Sequence, residues 1–313
     1  MDLPPLTSNP DPTFSIIIAV YNDWEALDSC LRSLAEQINA PSLEVIVVDD
    51  GSDEVAPEMI RQWSSSYTLT IARQPHAEVS AARNLGVKTS KGAILLFADA
   101  DSRFRPDCLA ALYSTITATP QYNCFQLHLI GDRSQLVGRA EDLRLITFQN
   151  HMVQADGCIR YLNTAGFAIR RTRINLNKDL FDPVAVRAED TFLLAQLIKA
   201  GELPFFVPSA LVQHFISLSL FQCLLKDIQS ARLEAKAYEI IASMGIRIQV
   251  THRERLSILR SMWKTSKDPS IGRSAWFTLV ARQGLRLIIF LFTDLSRIRP
   301  KIPKPDNHVN GLL

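Results

Sequence analysis

No charge of one sign dominates this chain: 34 Lys and Arg stand against 32 Asp and Glu over 313 residues, a formal net charge of +2. That balance gives no reason to expect a polyanion, and nucleic acid is not an expected partner. Cysteine is scarce and badly placed for cross-linking. The five residues, Cys30, Cys108, Cys124, Cys158 and Cys223, are odd in number and contain no C-x-x-C pair. This argues against a disulfide framework or a zinc knuckle, and a reducing, cytoplasmic setting is expected. The amino terminus lacks the basic residues and apolar run of an export signal and has Asp2, Pro4 and Pro5 instead. Long hydrophobic runs are lacking too. Two uncharged stretches, Cys108 to Gly131 and Leu203 to Leu225, are interrupted by Pro120, Gln121 and Asn123 in the first and by Pro204, Pro208, Gln213 and His214 in the second. Neither reads as a membrane span. With 47% hydrophobic and 21% charged residues, the composition is that of a globular protein able to bury a core without a disulfide or metal staple.

The first hundred residues alternate between strand and helix signals. Residues 1–13 hold four prolines and are expected to form a flexible lead. Phe14 to Val20 is an apolar, β-branched run suited to a strand buried on both faces. Asn22 or Asp23 then caps a segment with Trp24, Leu27, Leu31 and Leu34 at helical spacing. Leu43 to Val48 is a second strand, Met59 to Trp63 a helix, Leu69 to Ala72 a strand, Val79 to Lys88 a helix, and Ala93 to Phe97 a strand. Such βα repeats place a parallel sheet between helices. Ligands of open α/β sheets bind outside the carboxyl ends of the strands, where this chain has Tyr21-Asn22, Asp49-Asp50-Gly51-Ser52 and Asp99-Ala100-Asp101.

Each cluster has an ordinary reading as well as a chemical one. Asp49 and Asp50, before a glycine and a serine, suit a strand-to-helix turn, or they can accept hydrogen bonds from a nucleotide base. Asp99 and Asp101, one residue apart, can converge on one side, where two carboxylates repel unless a cation such as Mg²⁺ or Mn²⁺ lies between them. Glu189-Asp190 opens an apolar-periodic helix that ends at Gly201, and acidic residues there also favour the helix dipole. His214 follows the apolar stretch Phe205 to Val212 and is either a core histidine or a ligand. His76 lies in the loop before the helix at Val79, within reach of a nucleotide at the strand ends.

In series, Val20-Tyr21-Asn22, Val48-Asp49-Asp50-Gly51-Ser52, Ser80-Ala81-Ala82-Arg83-Asn84-Leu85-Gly86, Gly92 and Phe97-Ala98-Asp99-Ala100-Asp101 resemble the nucleotide-sugar-binding half of family 2 glycosyltransferases. The resemblance implies a GT-A fold of the α/β class over residues 14–220, with a Rossmann-like, mostly parallel sheet sandwiched by helices and a helical C-terminal extension over residues 221–313. It implies nucleotide-sugar contacts from Val20, Tyr21, Asn22, Asp49, Asp50, Arg83, Asp99 and Ala100. It also implies Mn²⁺ or Mg²⁺ held by Asp101 with Asp99 and His214, and Asp190 as the general base, with Glu189 supporting geometry or binding acceptor. The reaction implied is inverting transfer from a nucleoside-diphosphate sugar to a hydroxyl of a glycan or lipid-linked acceptor, with UDP sugars expected ahead of GDP or dTDP sugars. No Gln-x-x-Arg-Trp element is present, since Trp24, Trp63, Trp263 and Trp276 all follow residues other than arginine, and single-sugar transfer is expected. One departure is Ser102, where many relatives have a further aspartate. The alternative is a catalytically inactive sugar-nucleotide-binding scaffold. A nucleotidyltransferase fits less well, because Tyr21-Asn22-Asp23-Trp24 is not a glycine-rich, basic phosphate loop.

From about Leu218 the pattern is helical, charged through Lys226 to Tyr238 and Arg253 to Lys267, with an interruption at Lys267-Asp268-Pro269-Ser270. Trp276 to Ile298 combines the apolar run Leu285 to Phe292 with Arg282, Arg286, Arg297 and Arg299. It suits a helix in the membrane interface on the inner face, or equally one packed on the catalytic domain or in a homodimer.

Overall fold

The apolar runs become neighbouring strands. In the computed structural model, which describes residues 11–183, 188–215, 219–243, 245, 246, 248 and 250–295, β1 (Phe14–Val20), β2 (Leu43–Asp49), β3 (Thr68–Arg73) and β4 (Ile94–Asp99) lie in the parallel order β3-β2-β1-β4. Alternation along β1 feeds both faces of the sheet. Ile16, Ile18 and Val20 join the layer that includes Leu27, Leu31 and Leu34 of α1 (Trp24–Ala35), while Ile17 joins Ala82 and Val87 of α3 (Glu78–Thr89). Gly86 lets α3 approach this closely, because a Cβ there would stand 2.4 Å from Cγ2 of Ile17. Ser15 is the polar exception in β1, and it is paired: its hydroxyl donates to Glu44 Oε1 at 2.6 Å and accepts from Gly92 N–H at 2.7 Å.

Asp23 takes the N-cap position of α1, one of the two expected, but makes no side-chain cap hydrogen bond. Asn22 adopts φ +54° and turns its amide to Asp53, donating to the carboxylate at 3.1 Å and accepting from the backbone N–H at 2.8 Å. The helix expected near Met59 is α2 (Glu58–Arg61), which tightens into a 3₁₀ turn over Gln62–Ser65.

The second half completes a mixed, eight-stranded sheet. β5 (Ser102–Phe104), β6 (Cys124–Gly131), β7 (Phe167–Arg170) and β8 (Phe205–His214) extend the order to β3-β2-β1-β4-β7-β6-β8-β5, with antiparallel pairing at β4-β7, β6-β7 and β5-β8 and parallel pairing at β6-β8. The β5-β8 register sets Ser102 opposite His214 and so carries the turn containing Asp101 to that histidine. α4 (Cys108–Ala118), α5 (Leu136–Met152) and α6 (Glu189–Lys199) cover the sheet, followed by α7 (Leu220–Ser243), α8 (His252–Thr265) and α9 (Arg273–Leu295). These last helices are integral to the packing. Ile258, Met262, Ile271, Ala275 and Leu279 share a core with Ala140 and Leu143 of α5 and with Tyr161 and Phe206.

Arg282 and Arg286, expected to flank an interfacial helix, are instead held by Asp227 of α7. Arg282 donates from Nε at 2.7 Å and Nη2 at 3.1 Å, and Arg286 from Nη1 at 3.3 Å. Arg297 and Arg299, with the rest of the expected extension after residue 295, and most of the expected lead lie outside the described residues. Among the described residues no helix is long and apolar enough to cross a membrane. None of the five cysteines forms a disulfide, and all are buried.

Candidate active site

The carboxyl ends of β1, β2 and β4 form one rim, with Val20 level with Asp49 and Ala19 level with Asp99. Asp49 and Asp50 are buried there and engaged by their own chain. Asp49 accepts from Ser52 N–H at 2.8 Å and pairs with Arg73 at 3.1 Å. Asp50 accepts from the Gln74 amide at 2.6 Å and Ala77 N–H at 3.0 Å, and its other oxygen lies 2.9 Å from Nδ1 of His76. Val20 contributes a backbone carbonyl, which accepts from Asp50 N–H at 2.9 Å. Gly51 holds φ +81° in this turn, and a Cβ on it would lie 2.6 Å from His76 N. Above these groups Tyr21, 49% exposed, packs against His76 with ring centroids 4.5 Å apart and the planes tilted by 31°.

Arg83 ties the rim to the other half of the site. It is only 3% exposed on α3, and it donates to Asp99 at 2.8 Å and to Glu189 at 2.9 Å, with Phe181 under its guanidinium at 5.6 Å. Burial works against its charge, but Asp99 and Glu189 outweigh burial and hold its pKa above the ordinary value.

Beyond Asp99 the turn through Ala100 places Asp101 beside His214, Nε2 to Oδ1 at 3.1 Å. Asp99, Asp101 and His214 each offer one ligand atom within 4.8 Å of the others. Burial pushes the Asp101 carboxyl up, yet His214 and Lys226 bring it below its usual range. Burial likewise opposes charge on His214, and the carboxylate of Asp101 overcomes it, raising the imidazole to about 9. Although that imidazole is near, no donor meets the buried Oδ1 of Asp101 in hydrogen-bonding alignment. A buried carboxylate oxygen short of donors, between a second carboxylate and an imidazole, fits a divalent cation with oxygen and nitrogen ligands.

Asp190 opens α6 next to Glu189. Burial, reinforced by the Glu189 charge and only partly offset by Arg83 and Thr164, pushes its carboxyl up to about 7. Thr164 donates to its Oδ1 at 2.8 Å from a 3₁₀ turn, Thr164–Gly166, that Asn163 caps by accepting from Ala165 N–H at 2.9 Å. Arg187, which precedes Glu189 in the sequence motif, lies outside the described residues.

Thr164 was not among the residues expected in the site, and neither were Glu141 and Arg144. Arg144 donates from Nε to Glu141 at 2.9 Å. Burial alone would raise Glu141, but Arg144 first, then His214 and Arg282, bring it down to about 2. The charge around His214 therefore extends into α5 and α9. The only sequence signal for that pair is the i, i+3 spacing of Glu141 and Arg144.

Residues 15–176, more than half of the chain, match Glycosyl transferase family 2, and the chain belongs to that family. Its fold is the GT-A fold of glycosyltransferases. Glycosyltransferase AglE of Haloferax volcanii is 40% identical over 111 residues, covering 34% of this chain and 36% of that protein. The aligned segment thus spans about a third of that relative's length. Mannosyltransferase PcManGT from Pyrobaculum calidifontis, solved in complex with GDP-Man and Mn²⁺, superposes with a TM-score of 0.58 over 94% of this chain and 84% of that one, at 17% identity. S. aureus TarS 1–349 in complex with UDP superposes with a TM-score of 0.53 over 93% of this chain and 94% of that one, at 16% identity.

Proposed function

We propose that the chain transfers one sugar, with inversion, from a nucleoside-diphosphate sugar to the hydroxyl of a glycan or lipid-linked acceptor, with the aid of Mn²⁺ or Mg²⁺. The observation that carries this reading is the Arg83 bridge, which joins Asp99 to Glu189, the residue before Asp190, at 2.8 and 2.9 Å. It makes one site of the cation cluster and the half-buried acid.

Asp99, Asp101 and His214 are the residues that would hold the cation. Bound there, it would neutralise negative charge on a diphosphate leaving group. Asp190 is the proposed base. With its pKa near 7, it can accept the proton of an attacking hydroxyl near neutral pH. Thr164 points one carboxylate oxygen, and Arg83 fixes Glu189 beside it. Asp190 lies on α6, and inversion would require it to meet the sugar on the face opposite the leaving group. The exposed ring of Tyr21, packed against His76, supplies an aromatic ledge for a nucleotide base, and Asn22 stands at the same rim. Asp50 holds the His76 side of that ledge in place. UDP sugars are the first donors to test, with GDP sugars next, since TarS binds UDP and PcManGT binds GDP-Man. Thiols outside any disulfide suit a reducing cytoplasm.

Thermal shifts with UDP or GDP, each with Mn²⁺ or EDTA, test the donor and cation on the wild type and on Asp101→Ala. The expected result is a cation-dependent shift for one nucleotide that the variant loses. Equal shifts in variant and wild type would remove Asp101 from the cation site. A wild type that binds the nucleotide but never turns over would be the inactive scaffold.

A further inference from the structure

The last two helices present a surface outside the transfer site. α8 starts from a capping box between Thr251 and Glu254 and buries Ile258 and Met262 in the core it shares with α5. Its outer face carries Leu256 (57% exposed), Leu259 and Trp263, with Arg260 and Lys264 at the three- and four-residue spacing of one helical face. α9 adds Phe277, 60% exposed, and Arg273, whose guanidinium lies 3.8 Å from the centre of the Trp263 ring. Trp263, Trp276 and Phe277 pack edge to face. Leu256, Leu259, Arg260, Trp263, Lys264 and Trp276 line an open groove of about 350 Å³. Trp276 Nε1 has no hydrogen-bond partner there.

The charge on this surface is one-sided. Residues 252–277 contain six basic residues (Arg253, Arg255, Arg260, Lys264, Lys267 and Arg273) and two acidic ones (Glu254 and Asp268). The whole chain has a net charge of only +2, so the remainder is net negative. Both acids have partners: Glu254 pairs with Arg160, and Asp268 accepts from Ser270 at 2.9 and 2.8 Å. A second copy docked face to face here would set two basic surfaces against each other. A bilayer with anionic headgroups supplies what the surface lacks. Its phosphates match exposed arginine and lysine, and its interfacial zone takes indole and phenyl rings.

We propose that the α8–α9 face docks on an anionic lipid surface. α9 then runs from that surface toward the transfer site. Arg282 stands about 8 Å along the helix from Phe277 at 1.5 Å per residue, and between them Leu279 packs in one core with Ala140 and Leu143, which flank Glu141 on α5. Docking would hold the site near the bilayer, where a lipid-linked acceptor resides, and only this last consequence rests on the proposed reaction.

The full chain is sedimented with vesicles of phosphatidylcholine alone and with vesicles containing about 30% phosphatidylglycerol. Binding is expected only to the anionic vesicles, with release in about 0.5 M NaCl and a blue shift of tryptophan emission on binding. Arg260→Glu with Lys264→Glu, both exposed and outside the transfer site, is expected to lower the bound fraction about tenfold or more while leaving nucleotide-induced thermal shifts unchanged. Phe277→Ser is expected to weaken binding with the charges intact. Equal binding to both vesicle types, no binding, or a charge-reversed variant that binds like the wild type would overturn the proposal. So would a stable dimer that Phe277→Asp separates into monomers without any vesicle binding, which would give the face to a second copy. Vesicle binding needs no turnover, so its failure leaves the transfer reaction standing, and an inactive transferase leaves docking standing.

Discussion

Two pairs of aspartates end β2 and β4, the strands on either side of β1, and their surroundings are opposite. Asp49 and Asp50 meet donors from every side: Ser52 and Ala77 N–H, Arg73, Gln74 and His76. Asp99 and Asp101 meet one guanidinium and one imidazole, and an oxygen of Asp101 is buried without an aligned donor. A carboxylate saturated by its own chain builds a turn, whereas one short of donors is available to a ligand. The supply of donors within the chain, and not the residue type, is what distinguishes the two pairs. Asp190, with Thr164 its one hydrogen-bond donor among the described residues, belongs with the second pair.

The largest expected effect is at Asp190. Asp190→Asn should lower transfer about 10²–10⁴-fold, the usual worth of a general base. Stability should move the other way. The native carboxyl keeps its proton up to about pH 7, while the unfolded one ionises near 3.8, so the wild type loses stability as pH rises through that window. Asparagine is spared this loss, and calorimetry should find the variant more stable by about 1–3 kcal/mol at pH 8, with the difference closing toward pH 4. Transfer at the wild-type rate would take Asp190 out of the chemistry.

The next test sets the aspartate pairs against each other. Asp49→Ala leaves Ser52 N–H without its partner and should cost about 1–3 kcal/mol in denaturant melts, with the cation-dependent nucleotide shift retained. Asp101→Asn removes the partner of His214, should cost about 1–3 kcal/mol and should abolish that shift. If both variants behaved alike, the contrast between satisfied and unsatisfied carboxylates would fail.

The smallest effect is at Thr164. Thr164→Val removes the hydrogen bond that favours the ionised form of Asp190 and should move the rise of the pH–rate profile up by as much as about one unit. Activity at pH 7 should then fall by up to about fivefold and recover at higher pH. Thr164→Ser should restore the wild-type profile. A uniform loss at every pH would make Thr164 a structural residue only.

The half of the fold built from β1 to β4 is legible in the sequence because strands buried on both faces are written as unbroken apolar runs. β5 has three residues and is too short to leave a pattern, yet its pairing with β8 brings Asp101 to His214. Asp99, Asp101, Arg83, Glu189 and Asp190 were legible as a family series. Whether Asp49 and Asp50 face a ligand or a turn was not, because Gln74, His76 and Ala77 come from a loop beyond β3. Thr164 and Glu141 left only faint traces, since their neighbours come from separate elements. The role of Arg282 and Arg286 was equally hidden, because it depends on Asp227 on another helix.

The core shared by α5, α8 and α9 bears on how such enzymes can be recombined. Ala275 and Leu279 pack with Ala140 and Leu143, so the nucleotide-binding half is not a cassette that can be cut out after β8 and joined to a foreign tail. A chimera spliced there would expose Tyr161 and Phe206, and quality control would remove it before any change in acceptor preference could be read. Exchange of specificity in this chain is open to loop grafts that keep the tail and its parent domain together.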